Sequence, residues 1–411
     1  MKTGGIRYKG NVFAWIVVLI VTLQLTAISL LHEGLAPVLP FIQRSFNATN
    51  AQIGLIPGAV LLGGTIAMVI IGWLTDRLGI RSVLPFAFAF MGGGMALLSI
   101  GNSINQLVFL AFLMGIGAST GLPATAKAIM TFVSPHRRAL AMGFVTMGGP
   151  LAGIIGAGVI PWLAENYGWQ TAVRIMAVTI VATAVVFMYF YKIPREEERK
   201  TQPPTMLRAL RQLSRNRALW AAALSGITLV VANDVFITFL ILWLRDDLFM
   251  NVRTGGAFLA LALTASIVGR MAWGWVGDYW GKNRAVVLAI LSLLSVFSLV
   301  AVTLTNRESS NFTVGVVVVM AGFTTLSWQG VYHTVVAELT PAGTTASVTA
   351  FSGAIRRLGA FGMLPLFGWL VDINDNYIVA WRTLAVVAFI GTVILITRLI
   401  PLTRRNELIE L

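Results

Sequence analysis

Long apolar segments alternate with short polar ones along the whole chain of 411 residues. The apolar segments reach or exceed the ~20 residues that a helix needs to cross a bilayer, and glycine or proline interrupts several of them. The pattern predicts twelve membrane helices, and we therefore expect an all-α membrane protein. Their approximate limits are 12–43, 51–75, 82–101, 104–134, 138–162, 169–192, 218–246, 252–276, 283–305, 313–338, 345–371 and 377–401.

A charged stretch at residues 72–81 recurs in altered form at residues 274–284, about half a chain length later. Each copy predicts a tight turn between two membrane helices. An acid in such a turn can accept hydrogen bonds from a neighbouring helix N-terminus or pair with an arginine. Because the spacing recurs, we expect a gating hinge, the alternative being a loop whose charged side chains simply extend to the membrane surface. The predicted gating residues are Gly72, Asp76, Arg77, Gly79 and Arg81 in the first copy, and Gly274 and Asp278 in the second.

The repeat predicts two six-helix bundles related by a pseudo-two-fold axis. The first bundle would comprise residues 1–192 and the second residues 218–411, with a polar cytoplasmic linker at residues 193–217. The linker contains three consecutive glutamates, two adjacent prolines and many basic residues. Two bundles with a parallel repeat are typical of transporters whose binding site lies near the middle of the membrane.

The composition supports a membrane protein, because 57% of the residues are hydrophobic and only 11% are charged. Soluble domains carry about 25% charged residues. The chain has no cysteine, which excludes disulfides and thiol chemistry, and its three histidines are scattered. We find no phosphate-binding loop, metal-ligand cluster or nucleophile triad, so we expect neither an enzyme nor a cofactor or metal site.

The net charge of +14 arises from basic residues that cluster in alternate loops. This asymmetry follows the positive-inside rule, so nucleic acid is not an expected partner. It predicts that both termini are cytoplasmic, and we expect a monomer in the inner (cytoplasmic) membrane of a bacterium.

Arginines inside the predicted helices are the main candidates for substrate binding, because a buried charge is costly and is a functional candidate by default. Arg270 lies on the eighth predicted helix, and Arg356 and Arg357 lie on the eleventh. A guanidinium binds a carboxylate through two parallel hydrogen bonds. Adjacent helical positions point about 100° apart, so we expect one of the paired arginines to face the substrate, with Arg356 preferred.

Proton coupling would need an acid or a histidine at the same depth. Asp234 on the seventh predicted helix, and His32 and Glu33 on the first, are the candidates. Alternatively, Asp234 forms a fixed salt bridge to the eleventh helix, and His32 and Glu33 line an outer vestibule. Further candidates for substrate contact are Lys127, Tyr332 and His333. The alternatives for these are that the lysine extends to the cytoplasm and the aromatic residues serve packing.

The charged turn, its copy, the twelve helices and the basic linker together resemble the major facilitator superfamily. Arg270, four residues before Gly274, is similar to an arginine of the monocarboxylate transporters. With a cation on the eleventh helix, it resembles the oxalate–formate antiporter branch. The resemblance implies that these cations hold a substrate carboxylate and that the turn helps to set the outward-facing state. The chain departs from the pattern at Tyr279 and Trp280, where arginine is usual, and at Ser266, where monocarboxylate transporters often have aspartate.

We therefore expect a secondary active transporter of small organic anions, mono- or dicarboxylates, that works by alternating access. Its partners would be the anion, the lipid bilayer and protons, and either proton symport or anion exchange would serve. An alternative is a drug–proton antiporter, because the glycine-rich run at residues 143–156 with Pro150 partly resembles a motif of that class. A third possibility is a transport-inactive homologue that acts as a sensor or scaffold.

Overall fold

The structure, a computed structural model, describes residues 11–78, 86–119, 133, 141, 144–145, 147–190, 216–279, 283–340 and 345–403. Over these ranges the chain forms helices and short connections. Nine helical stretches of the described part are long and apolar enough to cross a membrane. The predicted linker lies outside the described residues, apart from its last two positions.

In the described residues, seven helices precede the linker and seven follow it. The first group is α1 Asn11–Glu33, α2 Leu39–Phe46, α3 Asn50–Leu78, α4 Phe86–Leu98, α5 Ile104–Ala118, α6 Gly148–Tyr167 and α7 Trp169–Phe190. The second group is α8 Arg217–Asp246, α9 Val252–Tyr279, α10 Arg284–Leu304, α11 Asn311–Thr325, α12 Gln329–Glu338, α13 Thr345–Asn374 and α14 Ile378–Ile394. We call these groups the first half and the second half. Each predicted membrane helix contains helical residues of the described part.

Two of the predicted helices are interrupted, which corrects the prediction. The first is divided into α1 and α2 by a 3-10 turn at Ala36–Val38, because Pro37 and Pro40 cannot donate backbone hydrogen bonds. The tenth is divided into α11 and α12 at residues 326–328. Near this break the hydroxyl of Thr324 donates to the carbonyl of Met320, a local bond that competes with regular helix geometry.

The first parts of both charged stretches are helical, so the predicted turns begin later than expected. Asn283, in the second stretch, lies outside the helices. The α3 backbone includes Gly72, Asp76 and Arg77, and α9 includes Gly274 and Asp278. Helices α3 and α9 each extend about three residues beyond their predicted ends. Gly79 and Arg81 lie outside the described residues.

An ion-pair cluster joins three helices near the second charged stretch, at what we call the Asp278 end of the molecule. Arg284, the first residue of α10, donates from Nη2 to Oδ1 of Asp278 at 2.9 Å. Its Nη1 also donates to Glu338, the last residue of α12. The three side chains are partly or largely exposed. Exposed ion pairs add little stability, so their main effect is to fix how these helix ends meet.

The two halves contact each other along two pairs of helices. In the first seam, α3 packs against α13, and in the second seam, α6 packs against α9. Each seam pairs the second predicted helix of one half with the fifth of the other. This is the arrangement that a two-fold repeat predicts.

Glycines allow the backbones to approach closely in both seams. A Cβ atom placed on Gly54 would lie 2.5 Å from the carbonyl oxygen of Leu364 in the first seam. In the second seam, a Cβ on Gly153 would lie 2.5 Å from Cδ1 of Leu263, and one on Gly256 would meet the carbonyl oxygen of Ala157. Small residues permit this packing, which supplies much of the attraction between membrane helices.

An acid closes the first seam at the end of the molecule that we call the Asn50 end. The carboxylate of Asp372, on α13, accepts from the backbone N–H groups of Asn50 and Ala51 at 2.8 and 2.9 Å. It also accepts from the side-chain amide of Asn50 at 2.9 Å. Asp372 thus caps the N-terminus of a helix in the other half, where the helix dipole favours negative charge.

Further polar contacts surround this cap. The hydroxyl of Tyr377 donates to Oδ2 of Asp246 at 3.0 Å and to Oδ1 of Asn50 at 3.2 Å. Burial raises the pKa of Tyr377 well above its usual range, and the charge of Asp246 raises it further, so the hydroxyl keeps its proton and remains a donor. Burial also raises the pKa of Asp247, although the backbone N–H of Tyr377 donates to it.

The second seam carries an ion pair in the corresponding place. Arg253, near the start of α9, lies 3.1 Å from Oε2 of Glu165, near the end of α6. Thus an acid near the end of the fifth predicted helix of each half binds the start of the second predicted helix of the other half.

Replacing Gly54 by alanine is expected to destabilise the first seam. The new methyl group would require the backbones of α3 and α13 to separate, and overpacking of this kind typically costs about 1–3 kcal/mol. We expect a lower midpoint temperature of unfolding in detergent. Gly158→Ala is the matched control, because no atom lies within 4 Å of its Cβ position. Equal midpoints for the two variants would contradict the close packing of this seam.

Candidate functional site

Ionisable side chains from both halves lie near one another inside the helical bundle. They come from α1 in the first half and from α8, α9, α12 and α13 in the second. The residues are His32, Glu33, Asp234, Arg270, His333, Arg356 and Arg357. All of them were predicted from the sequence as site candidates, and the structure brings them into one cluster, which we call the central cluster.

Arg270 lies beside the break between α11 and α12. Its Nε and Nη2 are 3.4 and 3.3 Å from the carbonyl oxygen of Leu326, which are long contacts for a charged donor. The close approach is possible because residue 269 is glycine, whose Cβ position would overlap Ser327. The hydroxyl of Ser327 donates to the carbonyls of Gly322 and Ser266. The guanidinium group of Arg270 is therefore only weakly bound, although it lies in the membrane-spanning region.

Arg356 is packed within the second half and is only 6% exposed. Its guanidinium carbon lies 4.4 Å from the ring centre of Tyr332 and 5.4 Å from that of Trp328. Its Nε donates to the carbonyl of Ser352 at 3.3 Å, and its Nη1 is buried with no hydrogen-bond partner among the described residues. Cation–π contacts with two rings hold this side chain against α12.

Arg357 extends in a different direction and reaches the first half. Its Nη1 lies 3.8 Å from the position of a Cβ on Gly64, a residue of α3. It is also within electrostatic range of His32 on α1 and Asp234 on α8. Of the two adjacent arginines, Arg357 is thus the one that lies between the halves.

The two acids of the central cluster form no ion pair within the described part of the chain. Glu33 is within electrostatic range of Arg270 and Asp234, and its Oε2 is buried without a hydrogen-bond partner. Asp234 accepts a hydrogen bond of 3.0 Å from its neighbour Asn233 and is within electrostatic range of both arginines of α13. The predicted alternative of a fixed salt bridge from Asp234 to the eleventh helix is not present.

The aromatic candidates on α12 differ from each other. Tyr332 is 1% exposed, and its hydroxyl bonds the carbonyl of Ala222 at 3.0 Å and the hydroxyl of Ser352 at 2.9 Å. It therefore supports Arg356 from inside the second half. His333 is exposed and lies within electrostatic range of Arg270 and Arg356.

Lys127 lies outside the described residues. Two features of the described part were missed from the sequence. Gln24 on α1 is 0% exposed, and neither polar atom of its amide has a hydrogen-bond partner. The role of Asp372 was also missed. The signal that could have revealed it is the repeat itself, because Asp372 and Glu165 lie near the ends of the fifth predicted helix in the two halves.

The sequence profile of the Major Facilitator Superfamily matches residues 14–363. The chain belongs to this superfamily. It is a transporter family, and the protein is not an enzyme. The resemblance predicted from the charged stretches and the helix pattern is confirmed.

Several transporters of this superfamily are similar to the chain. The uncharacterised transporter YybO of Bacillus subtilis is 23% identical, with 86% of each chain covered. Monocarboxylate transporter 13 of Rattus norvegicus is 24% identical over 79% of this chain and 74% of the relative. The probable sulfoacetate transporter SauU of Cupriavidus necator is 22% identical over 58% of this chain and 59% of the relative.

A solved structure gives the same fold. The bacterial homologue of the human lysosomal transporter Spinster, in an inward-facing and unoccupied conformation, superimposes with a TM-score of 0.78. The alignment covers 96% of this chain and 98% of that one, at 17% sequence identity. The chain is an integral, multi-pass membrane protein of the same helical architecture.

Proposed function

We propose that the protein is a secondary active transporter of small organic anions, mono- or dicarboxylates, that works by alternating access. The observation that carries the proposal is the environment of Arg270. Among the described residues, its guanidinium has only long contacts with one carbonyl oxygen, although it lies within a membrane-spanning helix. A cation in that setting favours an anionic partner, and a carboxylate matches the two-pronged geometry of guanidinium.

The charges of the central cluster support an anion over a cation. Arg270, Arg356 and Arg357 outnumber the acids Glu33 and Asp234. Among relatives, one is named a monocarboxylate transporter and another a probable sulfoacetate transporter. Both names denote transport of small organic anions.

We infer that Arg357, rather than the preferred Arg356, joins Arg270 in holding the anion. Arg357 lies between the halves, whereas Arg356 is enclosed by two aromatic rings. His333 would supply a further contact, and Tyr332 would position Arg356. The contact of Lys127 with the substrate remains a prediction.

We further propose two bundles, residues 1–192 and 218–411, that rock about the central cluster in a monomer. With both termini cytoplasmic in a bacterial inner membrane, the Asn50 end faces outward. Both seams are closed at that end, as expected of a state that is not open to the outside. The stretches at residues 72–81 and 274–284 would act in gating at the cytoplasmic end.

Transport would be driven by proton symport or by exchange of one anion for another. The candidates for carrying the proton are Glu33, Asp234 and His32. Exchange of one anion for another would not require any of these three residues to gain or lose a proton.

The test of this function is a search for the transported compound with purified protein. A thermal-shift screen of mono- and dicarboxylates identifies ligands, because a compound that binds the folded state raises its apparent stability. Uptake of each hit into proteoliposomes then tests transport. Lipophilic cations are tested in the same assays as the alternative class of substrate. If cations are expelled against a proton gradient while carboxylates neither bind nor enter, the protein is a drug–proton antiporter.

The adjacent arginines of α13 are expected to give different defects. Arg357→Ala should abolish most of the ligand-induced thermal shift while leaving the unliganded midpoint nearly unchanged. Arg356→Ala should lower the unliganded midpoint, since it removes two cation–π contacts worth about 0.5–2 kcal/mol each. Thermal unfolding with and without a carboxylate hit separates the two effects. If Arg356→Ala lost the ligand-induced thermal shift but kept the unliganded midpoint of the parent, Arg356 rather than Arg357 would bind the anion.

A further inference from the structure

Glu33 lies where the two halves meet. Its Oε2 lies 3.5 Å, and its own Cβ 3.2 Å, from the position of a Cβ on Gly153 of α6. Cδ1 of Leu263, on α9, lies 2.5 Å from the same position. The carboxyl group of α1 is therefore enclosed in the second seam, which joins the halves towards the Asn50 end.

Closing this seam deprives the carboxyl group of polar partners. Oε2 is buried and accepts no hydrogen bond from the part of the chain that the structure describes, although the residue as a whole is only half-buried. Burying an ionised carboxylate without a partner costs several kcal/mol, whereas the neutral acid is far less costly. The closed seam thus accommodates the protonated form of Glu33 better than the ionised form.

Other charged groups act on Glu33 from the elements around it. Arg270 of α9 favours its ionised form, and Asp234 of α8 opposes it. His32 neighbours it on α1, and the ionisable groups of α6, Glu165 and Tyr167, lie at that helix's far end. The attraction between Glu33 and Arg270 has a further consequence. When Glu33 is neutral, Arg270 is left without its anionic counterpart and is free to pair with a carboxylate from outside.

We propose that Glu33 is the proton-coupling residue and that its protonation both allows the second seam to close and releases Arg270 for the substrate anion. A proton from the outer solution would bind Glu33 while the Asn50 end is open. Closure would carry proton and anion together, and both would leave at the cytoplasmic end. Because each ligand favours the other, the coupling is symport, and this deepens the proposed function on which it rests. Asp234 and His32 would not carry the transported proton.

A cysteine introduced at Ala51, in the first seam, tests this without knowledge of the substrate. The chain has no cysteine, so a single one can be labelled selectively, and this site lies in the other seam from Glu33. Labelling rates are expressed relative to a free thiol at the same pH, because thiolate formation alone accelerates labelling as the pH rises. Alkaline pH should ionise Glu33 and open the Asn50 end, which should raise this relative rate by up to about tenfold per pH unit, the limit for one proton. Glu33→Gln should keep a low relative rate at every pH. Glu33→Met, which is neutral and needs no polar partner, should behave likewise.

Asp375→Asn is the control, because this acid is exposed in the loop before α14, and it should keep the full pH response. If Glu33→Gln and Glu33→Met respond to pH as the parent does, Glu33 is not the coupling residue. Transport gives a second readout. In Glu33→Gln, a pH gradient should no longer accumulate the carboxylate, while exchange of labelled for unlabelled anion persists. A parent protein that transports no anion would refute the proposed function, whereas the labelling result would still decide the role of Glu33.

Discussion

Arg270→Ala is expected to reduce carboxylate uptake by at least about 100-fold. Removing one partner of a desolvated, hydrogen-bonded charge pair costs about 3–5 kcal/mol, because the remaining charge is left uncompensated in a low-dielectric site. At the proposed site, that remaining charge would be the carboxylate of the substrate. The loss should appear in binding, measured as the absence of a ligand-induced thermal shift, and in uptake into proteoliposomes.

Two comparisons make this result specific. Arg270→Lys keeps the positive charge but loses the planar fork, so it should retain a small part of the binding. Arg307→Ala is the matched control, since this arginine lies at the periphery with its guanidinium 3.8 Å from the ring centre of Phe249. It should bind and transport normally. Normal uptake by Arg270→Ala would refute the proposed anion site.

Asp372→Asn is expected to shift the protein strongly towards the state in which the Asn50 end is open. The carboxylate accepts three hydrogen bonds from Asn50 and Ala51, and bonds to charged groups contribute about 1.5–3 kcal/mol each before solvent exposure is considered. Asp372 is only partly buried, so we discount the total to about 2 kcal/mol, which is a factor of about 30 in the equilibrium. Asparagine retains one acceptor oxygen. Its NH₂ group would face the N–H donors of the helix N-terminus and could not accept hydrogen bonds from them.

A cysteine at Ala157 reports this shift from the second seam. Ala157 is 1% exposed and packs against Gly256, so it becomes reactive only when α6 and α9 separate. Labelling should be much faster in Asp372→Asn than in the parent. Asp375→Asn is the control, because its backbone φ of 51° is one that asparagine also adopts readily. Unchanged labelling at Ala157 in Asp372→Asn would mean that the cap does not hold the seams closed.

The helices themselves were predictable, because spans of about 20 apolar residues separated by charge have few alternatives in a membrane. The break at residues 326–328 was not predictable from hydropathy. Ser327 and the threonines before it are apolar enough to continue a membrane helix, and whether their hydroxyls bond their own helix or a neighbour depends on packing. The hydroxyl of Ser327 does both, because it donates to the carbonyl of Gly322 on α11 and to the carbonyl of Ser266 on α9.

The candidate residues of the central cluster were found from the sequence because a charge inside an apolar span is conspicuous. Choosing between Arg356 and Arg357 required the rotation of α13 about its axis. That rotation is set by contacts with other helices, such as Gly64 against Arg357 and Gly226 against Arg356. The seams were missed for a related reason. Asn50 and Asp372 are far apart in the sequence, and only the assembled fold brings them together.

Helix α3 extends as one continuous element from Asn50 to Leu78, with Asp76 near its far end. At 1.5 Å per residue it is a rod about 43 Å long. A tilt of about 15° around its middle would move each end by about 5 Å in opposite directions, which is enough to break the 2.8 Å bond between Asn50 and Asp372. If the two bundles rock as proposed, α3 would move as a lever. Releasing its Asn50 end would swing the segment around Asp76 the other way, so opening one end of the molecule would close the other without a separate signal.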